Sequence, residues 1–447
     1  MKITSIRTSG LGDATYLVAH EGIGVVVDPQ RDIARFETAA ADAGVEVRFV
    51  LETHLHNDYV SGGRDLATRT GAELVIPAAG AVAFDHKPAF HLEDLDGGPL
   101  TVRPIHTPGH TPEHMSYLVL IEGEPIAVFS GGSLLVGAAG RPDLLGFDRA
   151  EQLARLQYIS VNRLAELPDD VGLYPTHGEG SFCTATGAGK STSTIGAEKR
   201  DNPVLHYPDA DAFVKGQLGG LQPYPDYYAF MGPINLMGPS PLPQATAPEV
   251  APGEIPADAA IVDMRPRSAF AAGHIPGSIG IEYGDQVGVW AGWLLPFDQP
   301  IVLVADRGQD VDEAVAQFGR IGFDHVVGVA YDVAGWAELY GPLAGYKQES
   351  ARDLAARIAS GEEVQVVDVR APNEWEESRV DGSLWRYVPD LRDGMPGGLD
   401  PDREVHLICR TGNRATIASS LVLQEGFTPV VVAEGGVAEV LAELSAG

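Results

Sequence analysis

Across the first 200 residues, short apolar runs rich in β-branched residues alternate with amphipathic stretches. The runs GIGVVVDP, VEVRFVLET, AELVIP and PIAVFSGG have the length and composition of strands, and the amino-terminal KITSIRT alternates like one. RDIARFETAAADAG and DRAEQLARLQYISVNRLAEL instead repeat their apolar positions at helical spacing. This order predicts a layered α/β domain ending near residue 240. Residues 201 to 250 are rich in Pro, Gly and Tyr and suit an extended connection packed on a neighbour.

Two later segments share one pattern. IVDMRPRSAFAAGHIPGS is followed downstream by IVLVADRGQD, and VVDVRAPNEWEESRVDGS by VHLICRTGNR. The repeat is about 100 residues long, and in each copy a strand ends in Asp-x-Arg before a helix, while a later buried strand feeds a loop and another helix. A doubly wound parallel sheet follows from that order, with any active loop at the carboxyl end of a strand. The predicted domains are 1–240, 245–346 and 347–447.

Composition narrows the partners. A net charge of −31 with a pI near 4.6 repels phosphates, so nucleic acid is excluded as a partner, and no apolar run approaches the roughly 20 residues a membrane helix needs. The amino terminus has no basic start followed by an apolar core, which predicts a cytoplasmic protein. Cys183 and Cys409 are the two cysteines, so each is judged as a single thiol rather than part of a disulfide framework.

Candidate chemistry concentrates in a few loops. The strand VRFVLET runs into Thr53-His54-Leu55-His56-Asn57-Asp58-Tyr59; PIHTPGHTPEH adds His106, His110 and His114; YPTHGEGSFC adds His177 and Cys183. Six of the thirteen histidines thus fall in three loops. Imidazole with carboxylate suits zinc or iron, and the lack of a CxxC pair argues against a thiolate-rich structural zinc site. The histidines of these loops, with Asp58 nearby, are the candidate metal ligands. Arg141 either forks onto a substrate carboxylate or ties down its loop. In the last repeat, strand VHLI delivers Cys409-Arg410-Thr411-Gly412-Asn413-Arg414 to a helix start, where successive N–H groups and nearby arginines favour a thiolate and cradle an anion.

The order HxHxD, HTPGHT, GRPDL, PTHGEGS over residues 1 to about 240 resembles the metallo-β-lactamase superfamily, and within it the persulfide dioxygenase branch. The resemblance implies an αββα sandwich and one Fe(II), with zinc as the alternative. It also implies oxidation by O₂ of a low-molecular-weight thiol persulfide to sulfite. His54 and His110 match that branch's iron histidines, and His56 and His177 match other metal-site histidines of the superfamily, so the resemblance implies His54, His56 and His110 as metal ligands, with Asp58, Tyr59 and His177 as further members of the site. Two positions depart from the pattern. Tyr59 stands where a second-metal histidine is usual, which fits a mononuclear site, and Gly132 stands where the iron-binding aspartate is usual. Water, a persulfide sulfur or His56 are the candidates for that coordination position.

CxxGxR at Cys409, with Asp368-Val369-Arg370 and Glu434-Gly435-Gly436, resembles the rhodanese active-site loop. The resemblance implies a doubly wound sulfurtransferase domain whose Cys409 passes sulfane sulfur to thiols or sulfite, forming thiosulfate, with Arg414 and the Arg410 to Asn413 loop around it. Asp263-Met264-Arg265 and Gly273 to Ser278 give the middle repeat the same frame. Its Asp306-Arg307-Gly308-Gln309-Asp310-Val311 stands where the nucleophile belongs, which makes it a spacer or docking domain. Cys183 is a candidate sulfur relay. A zinc thioester hydrolase of the glyoxalase II type, and a decayed metal domain scaffolding the sulfurtransferase, are the alternatives; relatives of this kind often form homo-oligomers.

Overall fold

A computed structural model describes residues 1–183, 191–243 and 246–446. The expected domain limits at 245 and 447 lie outside the described residues. The chain divides into two compact units, Met1–Gln244 with Gly319–Gly322, and Ala245–Phe318 with Phe323–Gly447. Among the described residues, no helix is long and apolar enough to cross a membrane.

The first unit is a four-layer α/β/β/α sandwich. One sheet runs Lys2–Thr8, Asp13–His20, Ile23–Val27, Glu46–Leu51, Glu73–Pro77, Lys87–Ala89; its first three strands are antiparallel and the rest parallel. The other runs Ser193–Thr194, Gly172–Pro175, Glu124–Gly131, Met115–Ile121, Thr101–His106, Leu95–Asp96. Alternation along each strand sends one set of side chains between the sheets, where Tyr16, Val25, Phe49, Leu51, Tyr117 and Phe129 form the central core. The opposite set meets the helices. Phe36 and Ala40 of Ala34–Ala43 and Leu66 of Gly63–Thr70 cover the first sheet, and Val161 and Leu164 of Phe147–Ala165 cover the second.

The segment expected to be extended contains two helices, Ala210–Gly219 and Tyr228–Met237. Asp209 caps the first by accepting from the Ala212 N–H at 2.9 Å. The second keeps Pro233 inside it, against local propensity, because Tyr228, Met231 and Asn235 are buried along one side. Tertiary burial outweighs the composition signal here.

In the second unit both repeats form parallel sheets. The middle one is ordered Ile279–Gly280, Ala260–Asp263, Ile301–Val304, Val326–Ala330. The last is ordered Lys347–Ser350, Thr428–Glu434, Glu404–Ile408, Gln365–Asp368, Leu384–Trp385. As the sequence order predicts, the Cys409 loop leaves the carboxyl end of an interior strand.

Candidate functional site

Strand Glu46–Leu51 ends in the core, so the loop that follows is delivered into a buried basin. Three imidazoles converge there. His54 and His177 face each other through their Nε2 atoms at 3.3 Å, and His110 completes a group whose donor atoms lie within 4.8 Å of one another. The second nitrogen of each ring is already occupied: His54 Nδ1 meets Thr53 Oγ1 at 2.8 Å, His110 Nδ1 meets the Arg141 carbonyl at 2.8 Å, and His177 Nδ1 meets Asp13 Oδ1 at 2.9 Å. Thr53 Oγ1 donates to Asp28 Oδ2 at 2.8 Å, so it accepts from His54. With their protons on Nδ1, all three rings turn a lone pair inward, and among the described residues His110 Nε2 has no hydrogen-bond partner.

Burial, reinforced by the neighbouring imidazoles, holds His54 well below the ordinary histidine range, and burial does the same for His110 and, less far, for His177. Neutral rings with inward lone pairs, two of them facing each other without a proton between, are the arrangement that a shared cation satisfies. The residues therefore fit one metal ion held by His54, His110 and His177.

His56 faces elsewhere. Its Nε2 lies 3.3 Å from Asp28 Oδ1, 3.3 Å from Glu52 Oε2 and 2.9 Å from the Tyr59 hydroxyl, and its ring stacks on Tyr59 at 4.3 Å. Burial opposes its charge, but Asp28 and Glu52 outweigh burial and hold it well above the ordinary range. The trio expected from the sequence, His54, His56 and His110, is thus not the one whose donors converge; His177 stands in the place given to His56. His56 keeps a different pair of companions, Asp58 and His177, within the same 4.8 Å limit. Asp58 Oδ2 is 3.3 Å from His177 Nδ1. Burial pushes Asp13 up to about 7, and burial with the Asp13 charge does the same to Asp58.

Gly132 has a steric reason to be glycine. A Cβ there would sit 2.2 Å from His110 Cδ2, so the imidazole occupies the space of the usual aspartate. His114 supports this turn by accepting from the Gly132 N–H at 2.9 Å while its Nδ1 bonds Thr107 at 2.9 Å, leaving neither nitrogen for a metal. His106 lies outside the basin on the Pro112 carbonyl at 3.3 Å. Arg141 forks onto Asp143 at 2.7 and 2.8 Å and reaches the Phe182 and Gln222 carbonyls, which makes it a loop tie.

Cys183 is fully buried, with Sγ 3.9 Å from the Tyr228 hydroxyl. Burial and the carboxyls of Asp58 and Asp13 push its thiol well above the ordinary range, which disfavours the thiolate that a sulfur relay uses.

Sequence reasoning missed Asp13, Asp28 and Asn235. Asn235 donates to the carbonyls of His56 (2.8 Å) and Tyr59 (2.9 Å) and accepts from the Ser61 N–H (2.8 Å), fixing the metal loop from a distant helix. A polar residue amid the apolar run MGPINLM was the available signal.

In the last repeat, Cys409 follows Ile408 directly, and its Sγ accepts the Gly412 N–H at 3.1 Å. Gly412, at φ +86°, leads into helix Asn413–Gln424. Arg414 forks onto Glu374, with Nη2 2.8 Å from Oε1. Burial opposes the Glu374 charge, yet Arg414 outweighs it and holds the carboxyl below its ordinary range.

The middle repeat corrects one assignment. Asp263 pairs with Val304 as Asp368 pairs with Ile408, so the residue matching Cys409 is Ala305, not Asp306. A methyl group takes the position of the sulfur, and Asp310 holds the aligned sequence position of Arg414.

Residues 10–177 match the metallo-beta-lactamase superfamily, and residues 251–339 and 350–443 each match the rhodanese-like domain. A probable metallo-hydrolase of Burkholderia pseudomallei is 31% identical over 228 residues, 42% of this chain and 75% of that protein. Hydroxyacylglutathione hydrolase of Acidiphilium cryptum is 31% identical over 223 residues, 45% of this chain and 88% of that enzyme. A solved metallo-beta-lactamase from Staphylococcus aureus superposes with TM-score 0.68 at 29% identity, covering 74% of this chain and 98% of its own.

Proposed function

The chain belongs to the metallo-β-lactamase superfamily and carries two rhodanese-like domains behind that fold, and on this premise we propose a sulfur-metabolism enzyme with two working centres. In the first, His54, His110 and His177 hold one divalent metal ion, iron(II) with zinc as the alternative, and a low-molecular-weight thiol persulfide is the substrate. The metal, when bound, supplies Lewis-acid and, as iron, redox chemistry. The chain itself orients the ligands through Thr53, Arg141 and Asp13, and its buried basin keeps bulk water from the reacting group.

In the second centre Cys409 carries sulfane sulfur. Its thiolate attacks the outer sulfur of a persulfide or thiosulfate; the S–S bond of the donor breaks, and thiolate or sulfite leaves with the bonding pair. An acceptor nucleophile then takes that sulfur and regenerates the thiolate, with no net oxidation. The observation that carries the sulfur assignment is Sγ accepting a backbone N–H at the entrance to a helix, where negative sulfur is stabilised before and after transfer.

Two measurements test the metal set and the reaction. His177→Ala lowers metal content where His56→Ala spares it, Asp13→Asn weakens binding about tenfold, and Gly132→Asp lowers rather than restores it because His110 fills that space. For the reaction, anaerobically purified, Fe(II)-loaded protein takes up O₂ and forms sulfite when given glutathione persulfide, and His110→Ala does not. The Acidiphilium relative supports a second reading, thioester hydrolysis. Cleavage of S-acyl-glutathione by the zinc form without O₂ uptake selects it. Neither activity, with transfer at Cys409 intact, reduces the first unit to a scaffold.

A further inference from the structure

The repeat that lacks the cysteine reaches into the loop of the repeat that has it. Arg267, at the start of helix Arg267–Ala272, donates from Nη1 to the Thr411 carbonyl at 2.7 Å. Its Nε donates to Glu282 Oε2 at 3.0 Å, and its own backbone N–H donates to Glu282 Oε1 at 3.2 Å, so the guanidinium is anchored on its own side before it crosses.

The Thr411 carbonyl and the Gly412 N–H belong to one peptide unit. That unit is planar, and its C=O and N–H point in opposite directions. The oxygen is held by Arg267 at 2.7 Å and the N–H points at Cys409 Sγ, 3.1 Å away. Rotating this peptide breaks both contacts together. Gly412 is also closely packed, since a Cβ there would lie 2.8 Å from the Ala433 carbonyl oxygen and 2.9 Å from Arg267 Nη1. A cation on the carbonyl also polarises the peptide, which strengthens the N–H as a donor to negative sulfur.

We propose that Arg267 is a positioning residue for sulfur chemistry at Cys409: it fixes the Thr411–Gly412 peptide with its N–H on the sulfur, making the middle repeat part of the active loop instead of a spacer. The inference rests on the sulfur-transfer reading of Cys409.

Arg267→Ala and Arg267→Lys in the full chain test it, with thermal unfolding confirming that each is folded. Two quantities are read: the alkylation rate of Cys409 by iodoacetamide, followed on its own peptide by mass spectrometry, and kcat and KM for thiosulfate with cyanide as acceptor. Arg267→Ala lowers alkylation and kcat about tenfold. KM for thiosulfate stays within about twofold, because no contact to the donor is lost. Arg267→Lys, which keeps a cationic donor, recovers most of the loss. Should Arg267→Ala fail to fold, Glu282→Gln, which releases the guanidinium from its anchor, is expected to lower the same two quantities. Unchanged alkylation in the folded Ala variant, or a loss that Lys does not relieve, overturns the proposal. A wild-type chain without turnover rejects the sulfur-transfer reading instead, and the alkylation ratio still decides whether Arg267 positions the loop.

Discussion

The middle and last repeats share a frame and differ at five of the six positions of its working edge, Ala305 to Asp310 against Cys409 to Arg414. In each, an Asp-x-Arg clamp closes the end of a central strand: Arg265 Nη2 meets Asp263 at 2.6 Å and the Gly273 carbonyl at 2.8 Å, and Arg370 Nη2 meets Asp368 at 2.7 Å and the Ser378 carbonyl. The following loop passes through a glycine in the left-handed region in both, Gly308 at φ +106° and Gly412 at +86°. At aligned positions Ala305 replaces the thiol of Cys409, Arg307 the threonine Thr411, and Asp310 the guanidinium of Arg414, and the helix that follows begins at Val311 in the middle repeat and at Asn413 in the last. The middle repeat keeps the rhodanese-like fold without a cysteine, because the clamp and the buried strands hold it.

That comparison can be broken most directly at the sulfur. Cys409→Ser abolishes sulfane-sulfur transfer from thiosulfate to cyanide while leaving metal content unchanged; residual turnover would mean that another residue carries sulfur. Arg414→Gln comes next. It removes the charged partner that replaces Asp310, and kcat falls about tenfold, the size expected of one charge-assisted contact.

Glu374→Gln gives a smaller, pH-dependent effect. Glu374 is held below its ordinary value of 4.5, so it contributes stability above that pH and loses it as pH falls through the lowered value. The half-buried pair is screened by solvent, so the variant is less stable by under about 1 kcal/mol at pH 7, and the gap closes at acidic pH, below the ordinary glutamate range. Denaturant midpoints at both pH values check the sign. The smallest effect is expected of Ala305→Cys on the Cys409→Ser background. A thiol alone, with Asp310 instead of an arginine at the aligned position of Arg414, leaves transfer at the background rate, and any marked gain would show that the loop frame suffices.

The sequence made the strands legible because alternation must put one face of each into the core, and Tyr16, Phe49, Tyr117 and Phe129 do just that. The Tyr228–Met237 helix was illegible because Pro233 and its glycines speak against a helix, and only burial of Tyr228, Met231 and Asn235 overrides them. In the histidine basin, motif order picked out the loops from which His54, His110 and His177 converge. Which ring turns inward depends on contacts from remote positions, Asp28 holding His56 aside and Asp13 holding His177 in place, which spacing cannot reveal. The one-residue shift from Asp306 to Ala305 is similarly a matter of strand register.

Mass spectrometry of the full chain after brief exposure to thiosulfate, with the cysteine peptides resolved, tests sulfur carriage at Cys409 most directly. One added sulfur atom on the Cys409 peptide, discharged by cyanide and absent from the Cys183 peptide, is the predicted result. An unmodified Cys409, or a sulfur that accumulates on Cys183 instead, would contradict the account.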